Sequence, residues 1–129
     1  MRTNSKLALA LFAGVVIGAA TVHGLRAQTK PIAYSVSEIE ITNPDAFAKE
    51  FVPLARKALG ESGTGYKVLA AGAKTVSIDG APPKSRIVIN SFENLDQAIV
   101  AYNSPAYKEA RKVGDKYATF RIFVTEGPQ

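Results

Sequence analysis

RIVINSFENLDQAIVAYNSPAY, residues 86–107, is the stretch on which the fold turns. Arg86–Ser91 has strand composition, with Ile87, Val88 and Ile89 at its centre. Asn94 then caps a helix, with Gln97 three places on in a capping-box pattern. Leu95, Ala98, Ile99 and Tyr102 recur at i, i+3, i+4 and i+7, a full apolar stripe. Ser104-Pro105 stops that helix and starts a shorter one to about Val113. Downstream, Tyr117–Thr125 reads as a last strand.

Upstream the pattern is repeated. Ala33–Ile41 (AYSVSEIEI) is a strand, and Asn43-Pro44-Asp45 is a helix start: Asn caps, Pro has no N–H to lose, and Asp meets the positive dipole end. Phe47, Phe51, Leu54 and Ala58 come next at helical spacing, with Pro53 placed to kink the helix and Gly60 and Gly63 to end it. Tyr66–Ala71 is a second strand, expected to resume after Gly72 through Thr75–Ile78. Asp79-Gly80 and Pro82-Pro83 then turn the chain. The order is β-α-β-β-α-β, a ferredoxin-like α+β fold: a four-stranded antiparallel sheet with the helices on one face.

Alternation along the strands assigns the two faces. Ile39 and Ile41, Ile87 and Ile89, and Phe120, Ile122 and Val124 are expected under the helices. Tyr34, Val36 and Glu38, Arg86, Val88 and Asn90, and Tyr117, Thr119, Arg121 and Phe123 are expected on the opposite face. Apolar and ionisable residues mix there, which suits a sheet that packs on a second sheet and encloses a partly polar cavity.

The N-terminus reads as an export signal. Arg2 and Lys6 precede the apolar stretch Leu7–Ala20, and Leu25-Arg26-Ala27 offers a small residue at a cleavage point before Gln28. Val22-His23-Gly24 is a second candidate cleavage site. The alternative, an uncleaved anchor, needs about 20 apolar residues, more than this stretch supplies. The expected division is a signal peptide at 1–27 and one folded domain at 28–129, exported to a periplasm or released. The formal charge of +5 falls to +2 when Arg2, Lys6 and Arg26 leave with the leader. The single histidine, His23, leaves too, and the chain has no cysteine. Ser-His-Asp and Cys-His nucleophilic sites, disulfides, structural zinc and histidine-ligated haem are thereby excluded from residues 28–129. No metal site and no cofactor are expected. Chemistry is left to carboxylates, Lys, Arg and Tyr.

The segments Ala33-Tyr34 through Ile41-Thr42-Asn43-Pro44, Arg86-Ile87-Val88-Ile89, Tyr102-Asn103-Ser104-Pro105-Ala106-Tyr107 and Val124-Thr125-Glu126-Gly127 resemble domain-of-unknown-function family 1330. That family lies within the dimeric α+β barrel superfamily, and the likeness runs from about Ala33 to Gly127. The resemblance implies the ferredoxin-like fold and a homodimer. It implies no particular reaction, since related superfamily members include small-molecule monooxygenases and isomerases.

The candidate ligand-binding residues are Tyr34, Glu38, Arg86, Asn90 and Arg121. Arginine presents a planar fork suited to carboxylates, and two arginines against one glutamate leave one positive charge for an anionic or hydroxylated organic ligand. The competing reading of Glu38, Arg86 and Arg121 is a structural ion-pair cluster at a buried interface. Tyr102 completes the helix stripe and is expected in the core with its hydroxyl satisfied. Gly60, Gly63 and Gly65 come after a helix and precede a strand, the reverse of a phosphate-binding loop. Lys108, Arg111, Lys112 and Lys116 are interleaved with Glu109 and Asp115, a solvated helix face and not a nucleic-acid patch. The function expected is ligand binding by an exported dimer. The alternatives are a cofactor-independent isomerase or monooxygenase-like enzyme, and a structural or stress protein of the envelope.

Overall fold

The computed structural model describes residues 29–129 apart from residue 73; the expected signal peptide lies outside the described residues. Strand β1 is Ala33–Ile41, β2 Lys67–Ala70, β3 Arg86–Phe92 and β4 Ala118–Glu126. They form one antiparallel sheet in the order β2-β3-β1-β4. Helix α1 has three parts, an α turn at Pro44–Ala46, a π turn at Phe47–Phe51 and an α segment at Val52–Gly60. Helix α2 is Leu95–Asn103 and α3 is Pro105–Gly114. This is the expected split β-α-β arrangement.

The caps sit where the side chains allow. Asn43 Oδ1 accepts from the Ala46 N–H at 3.1 Å, Asn94 Oδ1 from Gln97 at 3.0 Å, and Ser104 Oγ from Tyr107 at 3.2 Å. Ser104 thus caps α3 while ending α2. Pro53 has no N–H for the carbonyl four residues back, and the turn before it widens: the Val52 N–H donates to Phe47 O, five residues back. The expected kink is a π turn. Its extra residue rotates the remainder of the helix, so Ala55, Ala58 and Leu59 meet the core while Leu54 is exposed. On α2 the buried face runs through Ala98 and Ala101, and Ile99 of the expected stripe stands half in solvent.

Register fixes the faces. Ala33, Ser35, Ser37 and Ile39 of β1 alternate into the protein, level with Phe92, Asn90, Val88 and Arg86 of β3. On the other side they are level with Glu126, Val124, Ile122 and Phe120 of β4. The assignment of β1 matches the sequence expectation, as does that of β4 apart from Tyr117, which precedes the strand and packs on the helix side, its hydroxyl donating to Glu50 at 2.6 Å. The assignment of β3 is inverted: Arg86, Val88 and Asn90 face the helices, while Ile87 and Ile89 share the outer face with Val36, Glu38, Arg121 and Phe123. Within RIVINS the Ile87/Ile89 face is the more apolar, which points the other way. Phe92, 1% exposed, extends the strand by one residue and settles its parity. The expected resumption of the second strand is not found: among the described residues Thr75–Ile78 join no strand, and Val76 and Ile78 are 66% and 95% exposed. A bulge between Val68 and Ala70 and the turn residues beyond end the pairing there.

The core has two lobes. One joins Ala33, Leu59, Phe92, Ala98, Ala101 and Tyr107; the other joins Ile39, Phe47, Phe51, Ala110 and Ala118. Phe47, Phe51 and Phe120 form a ring trio with centroids 5.0, 5.2 and 6.2 Å apart.

Candidate functional site

Between the two lobes the sheet and the helices do not close completely. The gap is a narrow cleft with about 70 Å³ of room, open to solvent at its mouth and smaller than the roughly 300–1,000 Å³ usual for small-molecule sites. Its floor is the inner face of the sheet at Ser37, Val88, Asn90 and Ile122, and its walls carry Leu59, Val52 and the phenols Tyr66, Tyr102 and Tyr107. Two cations reach it, Arg56 from α1 and Arg86 from β3. Among the described residues no Asp or Glu lines it. The site is apolar with a small set of polar groups and a positive bias.

Alternation on β3 puts Arg86 and Asn90 into this cleft from one strand face. Arg86 is half-buried, with its guanidinium 6.0 Å from the centroid of the Phe47 ring, and among the described residues it has no ion-pair partner. Asn90 is 3% exposed. Its Nδ2 donates to Tyr102 Oη at 3.3 Å and to Ser35 Oγ at 3.4 Å, and those two hydroxyls lie 2.7 Å from each other. Asn90 Oδ1 is buried without a partner among the described residues.

Two of these tyrosines, Tyr66 and Tyr107, hold their protons tightly. Burial pushes the Tyr107 hydroxyl up to about 12, with the neighbouring Tyr102 adding to the shift. Burial also raises Tyr66, again helped by Tyr102 and opposed by Arg56. Near neutral pH both are neutral donors and not bases.

The five expected ligand-binding residues therefore do not share one cavity. Arg86 and Asn90 line the sheet–helix cleft, whereas Tyr34, Glu38 and Arg121 lie on the outer face of the sheet. The correction comes from the inverted parity of β3. Glu38 and Arg121 face each other across β1 and β4, and Arg121 Nη1 donates to Glu38 Oε2 at 2.9 Å. The Arg121 guanidinium also stands 5.2 Å from the Phe123 ring centroid. The pairing expected of Glu38 is thus with Arg121 and not with Arg86. Tyr102 is where the helix stripe places it, with its hydroxyl bonded. Ser35, Arg56 and Tyr66 were not anticipated. For Ser35 a signal exists: a small polar residue on the parity of Ile39 is out of place on a core face unless a partner awaits it.

A family model described as Domain of unknown function (DUF1330) matches residues 32–128. No curated protein matches the chain. Among solved structures, a protein of unknown function from Rhodopseudomonas palustris is 14% identical with a TM-score of 0.52, over 78% of this chain and 85% of that one. SnoaB, a cofactor-independent oxygenase from Streptomyces nogalater, is 13% identical with a TM-score of 0.56, over 77% of this chain and 95% of its own. A conserved protein from Methanosarcina mazei is 13% identical with a TM-score of 0.51, over 78% and 97%. At these identities the likeness is one of fold.

Proposed function

The chain belongs to the family described as Domain of unknown function (DUF1330), and on that premise we propose that it is an exported homodimer whose protomers each bind a small organic acid between sheet and helices. One observation carries the ligand reading: the cleft holds Arg56 and Arg86 and no carboxylate, with Arg86 unpaired among the described residues. A half-buried guanidinium without a counter-ion is costly, and an entering carboxylate or phenolate would offset that cost. The apolar walls then suit an aromatic or alicyclic body.

The alternative is a cofactor-independent enzyme, the activity named for the Streptomyces neighbour. Proton abstraction needs a base, and among the described residues no carboxylate or histidine lines this cleft, while Tyr66 and Tyr107 keep their protons. Binding is the reading favoured. The dimer rests on the outer sheet face, where Val36, Ile87, Ile89 and Phe123 stand around the Glu38–Arg121 pair. With Ile87 and Ile89 there, this face is more apolar than the sequence suggested. The export reading rests on the charge and length pattern of residues 1–27.

A thermal-shift screen of small aromatic acids against wild type and Arg86→Met tests the ligand reading. Stabilisation of the wild type by benzoate- or naphthoate-type acids, lost in Arg86→Met, is the expected result. Equal responses from the two proteins would remove Arg86 from the site.

A further inference from the structure

Thr75–Ile78 has strand composition and, among the described residues, no strand to pair with. Val76 and Ile78 are 66% and 95% exposed, and at a spacing of two they share one side of an extended chain. The sheet offers a free edge to match. β4 is the last strand in the order β2-β3-β1-β4, and among the described residues its backbone from Ala118 to Glu126 pairs with β1 alone. Nine residues without a proline are an open template for another strand. Phe120, Ile122 and Val124, which point toward the helices, are only half-buried along it.

Written antiparallel, the two stretches fit in one register. Val76 falls opposite Val124, Ile78 opposite Ile122 and Thr75 opposite Thr125, while Lys74 meets Glu126 and Asp79 meets Arg121. Opposite charges at both ends and matched apolar pairs between them are what stabilise neighbouring antiparallel strands. A shift of two residues either way, the smallest that keeps the faces, loses both charge pairs. Parity agrees as well. Val76 and Ile78 would extend the inner row of Phe120, Ile122 and Val124, and Asp79 would reach the outer face, where Arg121 holds Glu38 at 2.9 Å.

In its own chain the segment continues from β2, with β3 and β1 between it and β4. A second copy has no such barrier. Stacking two outer faces about a two-fold axis along the strands brings the β2 edge of each copy beside the β4 edge of the other, and β2 and β4 run in opposite senses. Resting on the dimer reading above, we infer that Lys74–Asp79 of each copy adds as an extra strand to the β4 edge of the other copy, in this register. The segment is the arm of the dimer, and the charge pairs at its two ends set where it lies.

The chain has no cysteine, so an engineered pair reports without background. Thr75→Cys/Thr125→Cys in the mature protein should form a covalent dimer under mild oxidation, and so should an equal mixture of the two single variants, while neither single variant should do so alone. Val76→Ser/Ile78→Ser changes side chains that face water in the protomer. It should leave the circular dichroism spectrum unchanged and raise the dimer dissociation constant about tenfold or more. Lys74→Glu should weaken the dimer and Lys74→Glu/Glu126→Lys should restore it, a rescue that damage to the fold would not show. Failure of the 75–125 crosslink, or its closure within one chain, overturns the inference. So does a dissociation constant indifferent to Val76 and Ile78, and both results leave a face-to-face dimer standing. A wild type that sediments as a monomer ends the dimer and the arm together.

Discussion

Ser35 Oγ and Tyr102 Oη lie 2.7 Å apart, joining the inner face of β1 to helix α2 through a hydrogen bond at the edge of the core. Tyr102 also packs edge-on against Tyr107 at 5.0 Å and against Phe92 at 5.5 Å, so its ring stays in place when its hydroxyl is removed. Tyr102→Phe should therefore leave Ser35 and the Asn90 amide short of a partner, at about 1–3 kcal/mol. Ser35→Ala/Tyr102→Phe should cost less than the two single changes added together, because the second removes the group that the first orphaned. Urea unfolding of the four proteins measures this; additive losses would mean the hydroxyls are not coupled.

Gly114 closes α3 directly against Phe51. A Cβ built on Gly114 would stand 2.6 Å from Phe51 Cδ2 and 2.8 Å from Cε2. The ring cannot swing aside cheaply, being held between Phe47 and Phe120 at 5.0 and 5.2 Å. Gly114→Ala is expected to lose about 1–3 kcal/mol by overpacking, although alanine is the better helix former. A denaturant midpoint equal to that of wild type would show that α3 can slide.

The element order was legible because its signals are local. Asn43-Pro44, Asn94 and Ser104-Pro105 each announce a helix start by side-chain chemistry within four residues, and each caps as expected. The face of β3 was not legible: Val88 and Phe92 on one parity balance Ile87 and Ile89 on the other, so only pairing with β1 decides. That inversion split the expected site, sending Arg86 and Asn90 inward and leaving Tyr34, Glu38 and Arg121 outside. The exposure of Leu54 was hidden in the same way. A π turn shifts the helical phase, and Pro53 signals a disturbance without saying which way the frame moves.

The buried phenol of Tyr107 links stability to alkaline pH. Its folded value of about 12 lies above the ordinary 10.0, so the fold favours the neutral form. That contribution is complete below pH 10 and is lost as pH rises from 10 to 12, amounting to roughly 2–3 kcal/mol. Ultraviolet titration of phenolate should show a late step near 12 that is missing in Tyr107→Phe. A Tyr107 ionising near the ordinary 10.0 would mean that α3 opens at lower pH.

The leader makes a separate prediction. Ala27 ends a segment with a basic start and a short apolar centre, so protein recovered from an extracytoplasmic fraction should begin at Gln28. N-terminal sequencing reads this directly. An intact Met1 in the membrane pellet would convert the proposal to a tethered domain.

The proposed dimer is tested best on β3, and the inverted parity chooses the variant. Val88 faces the cleft, so Val88→Asp would damage the core and report nothing about association. Ile89 lies on the outer face opposite Val36, which in turn stands opposite Phe123, at the centre of the sheet. Leaving such side chains in water forfeits roughly 1.5–3 kcal/mol each, and stacking this face on that of a second copy recovers it on both. Ile89→Asp puts a carboxylate into the middle of that contact, where desolvation costs more than the apolar neighbours return. Sedimentation should find wild type as a dimer at micromolar concentration and Ile89→Asp as a folded monomer with an unchanged circular dichroism spectrum. The Glu38–Arg121 pair sharpens the test. Glu38→Gln leaves the arginine without its 2.9 Å partner on the same face, and should weaken the dimer without disturbing the sheet. A wild type that sediments as a monomer would end the dimer proposal, whatever the variants do.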